Sequence, residues 1–105
     1  MCILPEQTET VYEIFKVNGN SMLPTLQSGY HVMVQQQEVY HVGDVVVFKP
    51  PFNAKFAIKR ISDKKGKSYF MLSDNKDLPN VYDSRQYGYI KQNQIIGKVI
   101  KIYDH

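Results

Sequence analysis

The segment Asn18-Gly19-Asn20-Ser21-Met22-Leu23-Pro24-Thr25-Leu26 places a serine directly after a glycine-containing turn. A serine so placed exposes its hydroxyl and its own backbone N–H together. Acyl transfer needs both, an attacking oxygen and a donor for the oxyanion that develops. The competing role for Ser21 is to cap a short helical turn, and on this segment alone capping is the commoner job. A second candidate lies in Ala54-Lys55-Phe56-Ala57-Ile58-Lys59-Arg60-Ile61. Read as a strand, it puts Ala57, Lys59 and Ile61 on one face and Phe56, Ile58 and Arg60 on the other. Lys59 then stands between two apolar neighbours, where burial disfavours the ammonium form and prepares a neutral amine to act as a base. The ordinary alternative is an edge-strand lysine with its amine in water. The third candidate runs from Leu72 to Gly88 and carries Ser73, Asp74, Asn75, Asp77, Asp83, Ser84 and Arg85. Such residues organise loops through side-chain to backbone hydrogen bonds. Its carboxylates are placed to pair with Arg60 or Arg85; a solvated turn is the alternative.

The elements that must hold these segments are short. Apolar residues alternate in brief runs, with no helical period sustained beyond about two turns. Strands are expected at Val11–Val17, His31–Gln36, Asp44–Lys49, Ala54–Ile61, Ser68–Leu72 and Gln94–Tyr103. Breakers separate them: Asn18-Gly19-Asn20, Gln27-Ser28-Gly29, Gly43-Asp44, Pro50-Pro51 and Lys64-Lys65-Gly66. This pattern predicts an all-β fold, a small antiparallel barrel or a pair of curled sheets. Ser21–Leu26 has room for one helical turn, with Pro24 in it. The two polar connections, Asn18–Gly29 and Ser73–Gly88, are where function is expected to sit.

Composition narrows the partners. The 105 residues suit one domain with one modest core. Thirteen basic against ten acidic residues leave a net charge of only +3, weak grounds for nucleic-acid binding. Tyr69-Phe70 beside Lys64, Lys65 and Lys67 suits a small β-barrel module that stacks bases and contacts phosphates. A basic hairpin tip is more often simply solvated, so nucleic acid is not the expected partner. The lone Cys2 excludes an internal disulfide, and Cys2, His31, His41 and His105 show no metal-ligand spacing, so neither metal nor cofactor is expected. Charged residues interrupt every apolar run, and Met1 to Glu9 has no basic start followed by an apolar stretch. The expectation is a soluble, cytoplasmic chain that itself needs no membrane, with membrane association the alternative if an anchor belongs to the longer protein.

Taken together and in order, the three segments resemble the serine-lysine peptidases of the S24/S26 group, and within it the type I signal peptidases. That family's first box reads approximately G-x-S-M-x-P-T-L, and Gly19 through Leu26 matches each fixed position. Its second box has lysine then arginine after an apolar strand, as Lys59-Arg60. Its third reads G-D-N, a short variable run, then D-S-R-x-x-G, matched by Asp74-Asn75 and by Asp83 through Gly88. Gly43 through Phe48 and Ile96 through Val99 also look like family strands, so the likeness covers Val17 to Tyr103. The resemblance implies a serine endopeptidase in which Lys59 takes the proton of Ser21 and the Ser21 N–H serves the oxyanion. It implies that Val17, Met22, Leu26 and Ala57 line shallow pockets, that Arg60, Asp83 and Arg85 form a supporting ion-pair cluster, and that Gly19, Ser73, Asp74 and Asn75 complete the oxyanion and supporting set. The implied partner is a protein or peptide bound as an extended strand, cut after small residues in signal- or propeptide-type processing.

The chain also departs from that pattern. Gly19 stands where some relatives carry a serine that completes the oxyanion hole. Ser73 replaces the first glycine of the third box, two extra residues precede Asp83, and Val81 replaces a serine that orients the lysine. Ser73 is expected to supply that lost hydroxyl. Only fourteen residues separate Lys59 from Asp74, which leaves no room for a second β-domain. The chain resembles a minimal catalytic core, like the short soluble S26-like peptidases, among them those associated with maturing nickel superoxide dismutase. Two alternatives share the fold: a catalytically impaired relative that keeps the peptide groove, and a self-cleaving regulator of the LexA/UmuD type. The second needs a cleavable upstream segment, usually with Ala-Gly or Cys-Gly, and neither dipeptide occurs in the first twenty residues.

Overall fold

Runs in which inward and outward side chains alternate become strands in the computed structural model, which describes residues 12–51, 55–78 and 82–104. The strands are β1 (Tyr12–Lys16), β2 (His31–Gln35), β3 (Val45–Phe48), β4 (Ala57–Lys65), β5 (Ser68–Leu72), β6 (Ile90–Lys91) and β7 (Ile95–Tyr103). A single helical turn, α1 (Ser84–Tyr87), and a 3-10 turn at Gln92–Gln94 complete the described elements. The strands form one curled antiparallel sheet in the order β1-β2-β7-β3-β4-β5-β6. The all-β architecture expected from the alternation is the one observed.

Two apolar clusters flank this sheet. One gathers Tyr40, Val46, Phe48, Ile61, Tyr69, Met71, Ile90 and Ile95; the other gathers Val17, Met22, Leu26, Val32, Val34 and Val47. Strand β3 divides them, because neighbouring residues face opposite sides. That is why its Val45-Val46-Val47-Phe48 run is apolar throughout instead of alternating. Each fully buried side chain of this kind contributes about 1.5–3 kcal/mol of transfer free energy. Strand β7 passes so close to β2 that a Cβ on Gly97 would lie 2.6 Å from Val34 Cγ1 and 2.7 Å from the Gln35 carbonyl oxygen. Only glycine fits there.

Several boundaries differ from the sequence reading. β5 has the expected limits, whereas β2 and β3 are shorter and β4 continues to Lys65. Lys64-Lys65 was read as a breaker, but the turn is made by Gly66, at φ +60°, and the two lysines remain paired with Tyr69 and Ser68. The expected starting residues Val11 and Ala54 lie outside the described residues. At Ser21–Leu26 the Leu26 N–H donates to the Met22 carbonyl at 2.8 Å, so the segment makes one helical hydrogen bond without becoming a helix. The unexpected α1 has a local cause. The Asp83 carboxylate caps its N-terminus, accepting from Arg85 N–H at 3.0 Å, while the Gln86 side chain accepts from the Asp83 N–H at 2.8 Å. That reciprocal cap is a D-x-x-Q signature visible in the sequence. Among the described residues no helix is long and apolar enough to cross a membrane.

Candidate active site

Lys59 lies where β4 is only half paired. Ala57 to Arg60 bond to β3, but pairing with β5 begins at Arg60, so among the described residues nothing pairs with the other edge of Ala57–Lys59. Across from it stands β1, which among the described strands is joined only to β2. Between the two lies a cleft of about 230 Å³, lined by Phe15, Val17, Phe56, Ala57 and Ile58 among others, with Ser21 and Lys59 in its wall. The rings of Phe15 and Phe56 meet edge-on at 5.4 Å between centroids and link its two banks.

The two candidate groups meet in that cleft. Lys59 Nζ donates to Ser21 Oγ at 3.0 Å, across 38 positions of sequence. Lys59 is only 7% exposed, and this burial lowers its pKa from the ordinary lysine value. The Asp83 carboxylate acts in the opposite direction and restores part of the ammonium's stability. Asp83 is itself fully buried. Burial alone would raise its pKa, but hydrogen bonds from the Arg85 guanidinium and from the N–H groups of Arg85 and Ser73 outweigh it and hold the carboxyl low. If the lysine is neutral, the same 3.0 Å contact runs the other way, with the Ser21 hydroxyl donating.

The loop after β5 fastens the serine turn in place. Arg60 grips Asp74 with two parallel bonds, Nε to Oδ1 at 2.9 Å and Nη2 to Oδ2 at 2.8 Å. Thr25 Oγ1 donates to Asp74 Oδ2 at 2.5 Å, and Arg60 Nη1 donates to the Gly43 carbonyl at 2.8 Å. Asn75 then makes two bonds to the serine turn, from its N–H to the Ser21 carbonyl and from Nδ2 to the Asn20 carbonyl, both at 2.9 Å.

Several expected placements are corrected. Arg60, Asp83 and Arg85 do not form one cluster; the pairs are Arg60–Asp74 and Asp83–Arg85. Consecutive residues on a strand point to opposite faces, so Arg60 leaves the side on which Lys59 senses Asp83. Met22 and Leu26 do not line the cleft. They are 1% and 0% exposed and pack beneath the turn with Val32, because positions four apart on a helical turn share a face. Val17 and Ala57 do line it. Ser73 is buried, yet its Oγ has no hydrogen-bond partner among the described residues, so it does not take the role of the hydroxyl missing at Val81. Val81 itself lies outside the described residues. Gly19 adopts φ +92°, and its N–H donates to Ser28 Oγ at 3.1 Å, so neither a side chain nor a free amide is offered from that position. Phe15 and Phe56 escaped the sequence reading, although Phe15 shares a strand face with Val17.

A larger concavity of about 650 Å³, bordered by Gln36, Tyr40, Lys67, Ser68 and Lys91, shares no lining residue with the Ser21 cleft. Among the described residues no three His, Cys, Asp or Glu side chains converge to hold a metal.

The curled antiparallel sheet, with almost no helix, is consistent with the S24/LexA type of β fold. The family comparison is narrower: residues 3–100 match the Peptidase S24-like model, and the chain belongs to that family. The family is one of serine peptidases, so the hydrolase reading holds at that level, while the match does not reach the signal-peptidase branch toward which the motifs point. No curated protein matches the chain.

Proposed function

We propose that this protein is a serine endopeptidase in which Ser21 is the nucleophile and Lys59 the general base, acting on extended segments of other polypeptides after small residues. The observation that supports it most is the 3.0 Å contact between Ser21 Oγ and an amine that burial drives toward its neutral form. Lys59 takes the hydroxyl proton as Oγ bonds to the scissile carbonyl carbon. The Ser21 N–H stabilises the oxyanion, and the protonated Lys59 then gives its proton to the departing amine. Water, deprotonated by Lys59, releases the acyl group. The substrate lies in the cleft between the edge of β1 and the open edge of Ala57–Lys59, where backbone hydrogen bonds are free to receive an added strand. The small volume of the cleft, with Val17 and Ala57 in its wall, favours Ala, Gly or Ser before the cut.

Membership of the S24-like family favours a second reading, cleavage of the chain's own or an attached segment in cis. Both are tested by incubating the protein with a peptide library and with itself over a range of concentrations, using Ser21→Ala and Lys59→Ala as blanks. Turnover of peptides that vanishes in both blanks supports the trans endopeptidase. Self-processing at a rate independent of concentration, without peptide turnover, supports the second reading. Cleavage that persists in either blank removes that residue from the mechanism.

A further inference from the structure

We infer that Asn75 is a positioning residue for the oxyanion donor: its side-chain amide holds the Asn20–Ser21 peptide so that the Ser21 N–H faces the cleft. This rests on the reading of Ser21 as nucleophile. Asn75 bonds two successive carbonyls, those of Asn20 and Ser21, each at 2.9 Å. A trans peptide is planar, with its C=O and N–H pointing in opposite directions. Drawing the Asn20 carbonyl toward the Asn75 loop therefore turns the Ser21 N–H away from that loop. No described residue accepts a hydrogen bond from that N–H. An N–H beside the serine hydroxyl with no acceptor among the described residues is available to a substrate oxygen.

Asn75 is itself fixed. Its Oδ1 accepts from the Asp77 N–H at 3.0 Å, which determines which end of the amide faces Asn20. The preceding Asp74 is anchored by Arg60 and Thr25. The only other described donor to the Asn20 carbonyl is the Leu23 N–H, at a longer 3.3 Å. Alignment matters more here than where two donors share the oxyanion, since Gly19 has no hydroxyl and its N–H is committed to Ser28. A donor aimed beforehand needs no reorientation as charge develops.

Asn75→Asp is the informative substitution, because it keeps the acceptor for Asp77 and removes the Nδ2 donor. Asn75→Ala, which adds no charge, is its companion, and in both the main-chain bond from residue 75 to Ser21 remains. Three quantities are read at the high-pH plateau, with the best wild-type peptide and a peptide boronic acid of the same sequence. They are kcat and KM, the boronate inhibition constant, and binding of the intact peptide in a Ser21→Ala background. The expected result is a fall in kcat of about 10- to 100-fold, less than outright deletion of an oxyanion donor. Boronate affinity should fall by a similar factor, with KM and intact-peptide binding within about twofold, since only the tetrahedral state uses the donor. Wild-type kcat in both variants overturns the role of Asn75 while leaving Ser21 untouched. Equal losses of boronate and intact-peptide affinity also overturn it, because they indicate a general disturbance of the cleft. Failure of the boronate to form an adduct on Ser21 of the wild-type protein overturns the nucleophile assignment, and this inference with it.

Discussion

Replacing Lys59 by methionine should abolish cleavage and at the same time make the protein more stable. Lys59 is 7% exposed, and among the described residues its amine makes one hydrogen bond, to Ser21 Oγ. Methionine keeps most of the stem's packing and removes the ammonium. The hydrogen bond lost is worth about 0.5–1.5 kcal/mol net, and half-buried Ser21 can turn to water. Against it stands the desolvation of a buried ion, which costs several kcal/mol. The nearby Asp83 carboxylate offsets part of that cost, but burial is the larger influence on Lys59, so the balance favours methionine. A net gain of about 1–2 kcal/mol is in the range typical of substitutions that relieve an active site. For a domain of this size it corresponds to roughly 5–10 °C in Tm. The sign with pH follows. Lys59 binds its proton less tightly when folded, so above its folded pKa the unfolded chain holds more protons and wild-type stability rises with pH toward about 10.4. The methionine variant lacks that contribution, and its advantage should shrink as pH rises through this window. Urea unfolding of both proteins at pH 7 and pH 10 measures it. A variant less stable than wild type at pH 7 by more than about 1 kcal/mol would refute the argument, because Lys59 would then be contributing to the fold rather than being held there at a cost.

How much of this could be read from the sequence depended on how local each cause was. The meeting of Ser21 and Lys59 was legible because each sits in a short motif, and the alternation around Lys59 already placed it among apolar neighbours. The error over Arg60 came from treating charge complementarity as sufficient, when the strand's own periodicity sends Arg60 and Lys59 to opposite faces. Met22 and Leu26 were misplaced for a similar reason: a motif records that a residue matters, not whether it faces substrate or core. Their four-residue spacing carried the answer, once the turn was known to close. The capping box at Asp83 was readable and overlooked. The third box marked Asn75 as a supporting residue, but nothing near it in sequence indicates that its partners lie 54 and 55 positions away, at Ser21 and Asn20. The open edge of Ala57–Lys59 was equally hidden, being a consequence of where β5 starts to pair.

Other consequences can be measured directly. Peptide cleavage should rise with pH through an apparent pKa below the ordinary lysine value of about 10.4, since burial favours the neutral amine; a flat profile from pH 6 to 10 would contradict a lysine base. Asp74→Asn should cost about 1–2 kcal/mol at pH 7, a figure reduced because the Arg60 side chain is 37% exposed. The hydrogen bond from Arg60 holds the Asp74 pKa low, so this stability is present above about pH 4 and lost as pH falls through the folded value; denaturation that is equally acid-sensitive in variant and wild type would argue against it. Gly97→Ala should destabilise by about 1–3 kcal/mol or more, because the new Cβ meets the Gln35 backbone, which cannot rotate away; an unchanged Tm would show that β7 can withdraw from β2. Phe56→Ala should raise KM by roughly 2- to 12-fold with little change in kcat, the range expected when an aromatic pair worth about 0.5–1.5 kcal/mol is lost. Phe56 is 52% exposed and meets Phe15 across the cleft, so it holds the banks together, and a variant that lost kcat at constant KM would place this ring in the chemistry instead.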